Sequence, residues 1–164
     1  MTPLRILIVC HANTSRSVMA EAILARLLDE NGLQPHVELT SGGVAPFARD
    51  GALASLDARL VLRGEGIEIG ADTVSTDLKR NRHLVAAADL ILAMTEEQID
   101  ILAREFPEAA AKPVHTLRAF AGSFGDIDDP VGKDEDVYAA CLVEIREALV
   151  ASLSRIEALV RERG

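Results

Sequence analysis

The stretch Val9-Cys10-His11-Ala12-Asn13-Thr14-Ser15-Arg16-Ser17 follows the apolar run Leu4 to Val9, so a cysteine leaves a strand and meets an arginine as a helix begins. Few folds accommodate that order. The carboxyl end of a buried strand must open where a helix N-terminus points back at it. Such a turn gathers backbone N–H groups and the positive helix end into one concavity, which favours a bound phosphate and a thiolate beside it. Cys10 is the candidate nucleophile and Arg16 the candidate phosphate fork, with His11, Ala12, Asn13, Thr14, Ser15 and Ser17 as the binding loop around the anion. The five residues between Cys10 and Arg16 can wrap one tetrahedral anion. Arginine suits the far end because its planar guanidinium is bidentate and stays charged. Ser17 can donate to the sulfur and Asn13 can brace the loop.

After this first strand, Ser17 to Glu30 places Ala20, Ile23, Leu24, Leu27 and Leu28 on one helical face, and Asn31-Gly32 supplies a stop. Val37 to Thr40 reads as a second strand ending in Ser41-Gly42-Gly43. A helix is expected over 51–63, carrying Leu53, Leu56 and Leu60 at helical spacing, and a polar one over 77–87. Leu90 to Met94 reads as a buried strand. Thr95 and Gln98 have the form of a capping box that opens a helix running towards Phe106-Pro107. Val114 to Leu117 is the fourth strand. In the last helix Val137, Cys141, Leu142, Ile145, Leu149, Leu153, Ile156 and Leu159 form one stripe.

Strands that alternate with helices imply an α/β fold, a four-stranded parallel doubly wound sheet with helices on both faces and an N-terminal phosphate-binding loop. Residues 1–164 are expected to form a single domain. Ligands of such sheets bind outside the carboxyl ends of the strands, where Cys10 lies. The loop after strand four should open on the same edge and bring Asp126-Ile127-Asp128-Asp129-Pro130 to the thiolate. A departing group needs a proton, and Asp129 is the preferred general acid because Pro130 restricts its backbone to extended conformations. Asp126 and Asp128 rank below it.

Composition narrows the partners. A formal charge of −9 excludes a nucleic-acid backbone as the natural partner, so any phosphate site must be local. The longest apolar runs fall far short of the ~20 residues that a membrane span requires, and the N-terminus lacks a signal-peptide core. A cytoplasmic monomer without membrane contact is expected. The two cysteines do not suggest a disulfide framework, and Cys141 falls in the apolar stripe of the last helix. His11, His36, His83 and His115 are scattered without metal-ligand spacing, so neither metal nor cofactor is expected.

With these residues in place the chain resembles the low-molecular-weight protein tyrosine phosphatases, whose loop reads Cys-x-Gly-Asn-x-Cys-Arg-Ser. Cys10, Asn13, Arg16 and Ser17 match position by position, Met19-Ala20-Glu21 matches the helix start, and Ser41-Gly42-Gly43 resembles the family's Ser-Ala-Gly loop. Leu90 to Thr95 and Asp129-Pro130 match its strand and general-acid segments. The resemblance implies a metal-independent phosphoprotein phosphatase working through a phosphocysteine intermediate. Within the family, bacterial protein arginine phosphatases carry Thr where tyrosine phosphatases carry an aliphatic residue. Thr14 matches the arginine type, as does Gly122-Ser123-Phe124-Gly125-Asp126-Ile127-Asp128-Asp129-Pro130.

The chain also departs from the pattern. The aromatic walls of the family's pocket are replaced by Val131 and Ala45, with Phe47 as the available substitute. Ala12 replaces the loop glycine, where a positive φ would be strained. Val18 replaces a helix-opening proline. Ser15 replaces the loop's second cysteine, so the protective loop disulfide cannot form. Phosphoarginine and phosphotyrosine hydrolysis are thus the leading functions, the first preferred. A catalytically weak phosphate-binding module and a thiol-based arsenate reductase are the alternatives, the last lacking a resolving cysteine between Cys10 and Cys141.

Overall fold

Strand β1 (Leu4–Cys10) is buried at every position except Arg5. A run apolar on both faces can be satisfied only inside a covered parallel sheet. A computed structural model, which describes residues 2–164, places it there: β2 (Val37–Gly43), β1, β3 (Leu90–Ala93) and β4 (Val114–Thr116) lie side by side in that order, all parallel. The period of two in β1 splits the core. Leu4, Ile6, Ile8 and Cys10 face one cluster, shared with α1 (Arg16–Glu30), α2 (Leu56–Gly64), α5 (Leu117–Phe120) and α6 (Glu135–Arg163). Leu7 and Val9 face the other, shared with α3 (Arg82–Ala87) and α4 (Glu96–Glu105). The chain leaves β1 towards β2 on one side and returns to β3 on the other. The carboxyl ends of β1 and β3 therefore flank a topological switch point, and Cys10 ends β1 there.

The four parallel strands and the two helical layers agree with the expected fold, and several local readings are corrected. Strand β2 runs through Ser41-Gly42-Gly43 instead of stopping at Thr40. Its last glycine is needed for closeness: a Cβ at Gly43 would sit 2.7 Å from the His11 carbonyl oxygen and 2.9 Å from the Ala12 carbonyl carbon. The helix expected over 51–63 begins only at Leu56. The Ser55 side chain caps it by accepting from Ala58 N–H, and the Ser55 N–H is tied to the Thr14 carbonyl at 2.9 Å. Those ties turn Ala58 and Leu62 inward, so Leu53, Leu56 and Leu60 face solvent.

The helix expected over 77–87 is confined to α3, because Asp77 Oδ1 accepts from the Lys79 N–H at 3.0 Å and from its Nζ at 2.8 Å, which holds a turn. The segment after β4 turns at once into the four-residue α5, capped by the Thr116 side chain accepting from Ala119 N–H. Helix α1 starts one residue earlier than read, at Arg16. The capping box of Thr95 and Gln98 is present at α4. The stripe of α6 is buried from Cys141 to Ile156 with Leu153 half-buried, and Val137 is exposed. Each fully buried aliphatic side chain in these layers contributes about 1.5–3 kcal/mol, which sets the frame for the loop.

Candidate active site

The loop His11–Ser15 turns tightly between β1 and α1, and its left-handed residue is Asn13, with φ of 62°. Ala12 does not take a positive φ, so the strain expected from a missing glycine is absent. Asparagine tolerates the left-handed region better than other side chains do. Its backbone N–H is turned onto Cys10 Sγ at 3.2 Å. The Asn13 amide is oriented by the Thr76 N–H, which donates to Oδ1 at 2.9 Å. Nδ2 therefore donates, to Ser17 Oγ at 2.7 Å and to Ser41 Oγ at 3.0 Å.

Those contacts settle the hydroxyl protons. Ser17 Oγ already accepts from Asn13 and lies 2.9 Å from Cys10 Sγ, so its own proton is free to point at the sulfur. Ser41 in turn donates to Glu21 Oε1 at 2.6 Å. Burial pushes the Glu21 carboxyl above the usual carboxylate range, with the Ser41 bond pulling the other way. Cys10 is thus buried beneath a fixed set of donors at the N-terminal end of α1, an arrangement suited to a thiolate.

Arg16 is 3% exposed. Its Nη1 donates to the Ile127 carbonyl at 2.8 Å, and its Nη2 lies 3.2 Å from His11 Nδ1 and 3.6 Å from Asp129 Oδ2. The segment after α5 therefore comes to the loop, as read. It is anchored by Ile127 N–H on the Met94 carbonyl at 2.9 Å. Among its acids, Asp126 Oδ1 accepts from the Glu96 N–H at the start of α4, and Asp129, 3.6 Å from Arg16 Nη2, is the carboxylate beside the guanidinium. Asp129 is half-exposed, and its Oδ1 accepts from the Val131 N–H at 3.0 Å.

The remaining predicted residues divide. Thr14 uses its carbonyl to hold Ser55. Ser15 turns its hydroxyl outward to Ser55 Oγ at 2.9 Å and Tyr138 at 3.3 Å, so it braces the loop from behind. Ala45 is buried with its N–H on the His11 carbonyl and supplies no wall. Phe47, the available substitute, is exposed with its ring stacked 6.5 Å from the His11 ring at 19°. Cys141 lies under the acid loop, its thiol aimed at the Asp128 carbonyl and pushed up to about 12 by burial and by Glu144. Glu21, Ser41, Thr76, Gln98 and the Ile127 carbonyl were not anticipated as partners of the site. Gln98 carries a signal as a capping residue, Glu21, Ser41 and Ile127 lie in segments that carry the family resemblance, and Thr76 has none.

Residues 5–163 match the family model of the low molecular weight phosphotyrosine protein phosphatases. The chain belongs to that family. It is a cysteine-dependent phosphatase. The phosphatase is 42% identical over 153 residues to a protein-arginine-phosphatase of Geobacillus stearothermophilus, covering 93% of this chain and 95% of the relative. It is 33% identical to the low molecular weight protein-tyrosine phosphatase A of Mycobacterium tuberculosis, covering 90% and 88%. A solved arginine phosphatase, YwlE, superposes with a TM-score of 0.84 at 33% identity, covering 94% of this chain and 96% of that one. In that structure a mutant active-site serine, standing for the cysteine, is phosphorylated. No helix of the described residues is long and apolar enough to cross a membrane.

Proposed function

We propose that this phosphatase removes phosphate from arginine side chains of proteins, with Cys10 as nucleophile, Arg16 as phosphate ligand and Asp129 as general acid and base. The observation that carries the chemistry is the buried Cys10 sulfur 2.9 Å from the Ser17 hydroxyl and 3.2 Å from the Asn13 N–H, one loop away from the Arg16–Asp129 pair. The sulfur attacks phosphorus and the P–N bond breaks, its electron pair leaving with the guanidinium nitrogen, which takes the Asp129 proton. Asp129 then accepts a proton from the water that attacks the phosphocysteine, and the S–P bond breaks to release phosphate and thiolate. Backbone N–H groups of the loop and the Arg16 fork carry the charge that develops on the equatorial oxygens.

Thr14 and the higher identity to an arginine phosphatase than to a tyrosine phosphatase support the substrate choice. A phosphotyrosine reading is favoured by one observation, the exposed Phe47 ring stacked on His11, which offers an aromatic face to a phenyl ring. The two are separated by kcat/KM on phosphoarginine and phosphotyrosine peptides of one sequence. A large preference for phosphotyrosine rejects the arginine reading. The cytoplasm suits this chemistry, since it keeps an active-site thiol reduced. The weak-binding alternative loses one of its motives with the relaxed backbone at Ala12, and the retained Cys10, Arg16 and Asp129 argue against it despite Val18 and Val131. Arsenate reduction lacks an accessible second thiol, because Cys141 is buried.

A further inference from the structure

We propose that His11 is a positioning residue that holds the phosphate fork in place through Nδ1, and that Gln98 selects the imidazole tautomer able to do so. This rests on the reading of Arg16 as the phosphate ligand. A guanidinium offers donors only, and Arg16 is buried, so the N–H groups it does not lend to the phosphate require acceptors inside the protein. Nη1 has the Ile127 carbonyl; for Nη2 the nearest acceptor is His11 Nδ1, closer than the Asp129 carboxylate.

The tautomer follows from the other side of the ring. Gln98 is fully buried, and its Oε1 accepts from the Met94 N–H at 2.8 Å and the Thr95 N–H at 3.2 Å. That fixes the amide, so the atom 3.1 Å from His11 Nδ1 is Nε2, a donor. Two obligate donors, Arg16 Nη2 and Gln98 Nε2, converge on one ring nitrogen. Nδ1 must carry the lone pair and Nε2 the proton, which faces Glu97 Oε2 at 3.7 Å. The ring is kept in this pose by its stack on Phe47. A chain of contacts thus runs from the backbone at the end of β3, through the capping glutamine of α4, to the arginine of the loop.

The test uses sulfate, a tetrahedral dianion whose charge is constant over the assay range, as a competitive inhibitor at pH 8, together with 15N spectra of the imidazole. In the wild type the His11 proton is expected on Nε2. His11→Leu should raise the sulfate inhibition constant roughly tenfold or more, from the lost charged hydrogen bond. His11→Asn, whose carboxamide oxygen can stand where Nδ1 stands, should remain within about twofold of wild type, by the same reasoning on a retained acceptor. Gln98→Glu keeps both backbone partners but presents an acceptor to the ring. It should move the proton to Nδ1 and weaken sulfate as His11→Leu does. Arg16→Ala is the control. Wild-type sulfate affinity in that variant overturns the assignment of Arg16 and this proposal with it. Weak sulfate in Arg16→Ala with wild-type affinity in His11→Leu overturns the His11 role alone, as does a wild-type proton on Nδ1.

Discussion

Replacing Asn13 by alanine should separate the two tasks this residue performs. Its side chain makes three hydrogen bonds, to Ser17, Ser41 and the Thr76 N–H, each buried or half-buried. At about 1 kcal/mol apiece their loss costs about 3 kcal/mol. Alanine at a φ of 62° costs about 1 kcal/mol more. Asn13→Ala is thus expected to lose about 4 kcal/mol in urea unfolding, and Asn13→Gly, free of the backbone cost, about 3 kcal/mol. The sulfur should register the change as well. Without the amide, Ser17 is no longer held with its proton towards Cys10, so iodoacetamide alkylation at pH 6 should slow roughly tenfold. Cys141, its thiol pushed up to about 12, does not compete for the reagent. A loss below about 0.5 kcal/mol for alanine, against the ~1 kcal/mol of a single bond, together with unchanged alkylation, would refute this account of the loop.

Five further outcomes are expected. Asp129→Asn should lower kcat on phosphoarginine peptides by about 10²–10⁴, while Cys10→Ser abolishes turnover and still binds sulfate. Thr14→Ile should shift the kcat/KM ratio towards phosphotyrosine by roughly tenfold, and an unchanged ratio would remove Thr14 from substrate choice. Peroxide should inactivate the enzyme with little recovery in dithiothreitol, since Ser15 offers no thiol and Cys141 is buried; full recovery would count against this. Glu21, whose carboxyl burial raises it above the usual range, favours folding when neutral. That stabilisation is present at low pH and is lost as pH rises through the raised value, so Glu21→Gln should gain on the wild type between pH 4 and pH 8 in chemical denaturation. A gain that is constant across pH would reject the burial of that charge.

The legible parts of this molecule are those set by local chemistry. The apolar continuity of Leu4 to Val9 and Leu90 to Met94 marked buried parallel strands, and Thr95 with Gln98 marked a helix start, because these signals lie within a few residues. Leu53, Leu56 and Leu60 misled for a physical reason: their spacing is helical, but Leu53 precedes α2 and pairs with Val74, and the Ser55–Thr14 bond that fixes the start of α2 has its partner elsewhere in the chain. In the same way Cys10, Arg16 and Asp129 were legible as residue types near one sheet edge. Asn13 as the left-handed residue, in place of a strained Ala12, was not. It follows from Thr76 and Ser41 holding its amide, contacts that sequence spacing does not encode.

The loop is held by each neighbour that the topology supplies. Gly43 of β2 lies against its backbone, Ser55 of α2 holds Thr14, Tyr138 of α6 meets Ser15, and the Ile127 carbonyl and His11 hold Arg16. Apart from His11, which belongs to the loop itself, none of these partners is adjacent to it in sequence. A thiolate site of this kind needs its donors in place before the anion arrives, since reorganising them during reaction would cost what preorganisation saves. Distributing the supports over β2, α2, α6 and the acid loop couples the chemistry to the whole sheet edge. A core substitution that loosens α6, such as Ile145→Ala at about 2–5 kcal/mol, should therefore lower kcat at temperatures where the protein is still folded, because Tyr138 and the acid loop over Cys141 shift with the helix. If kcat instead stays at the wild-type value up to the unfolding transition, the loop is self-supporting and α6 serves only the core.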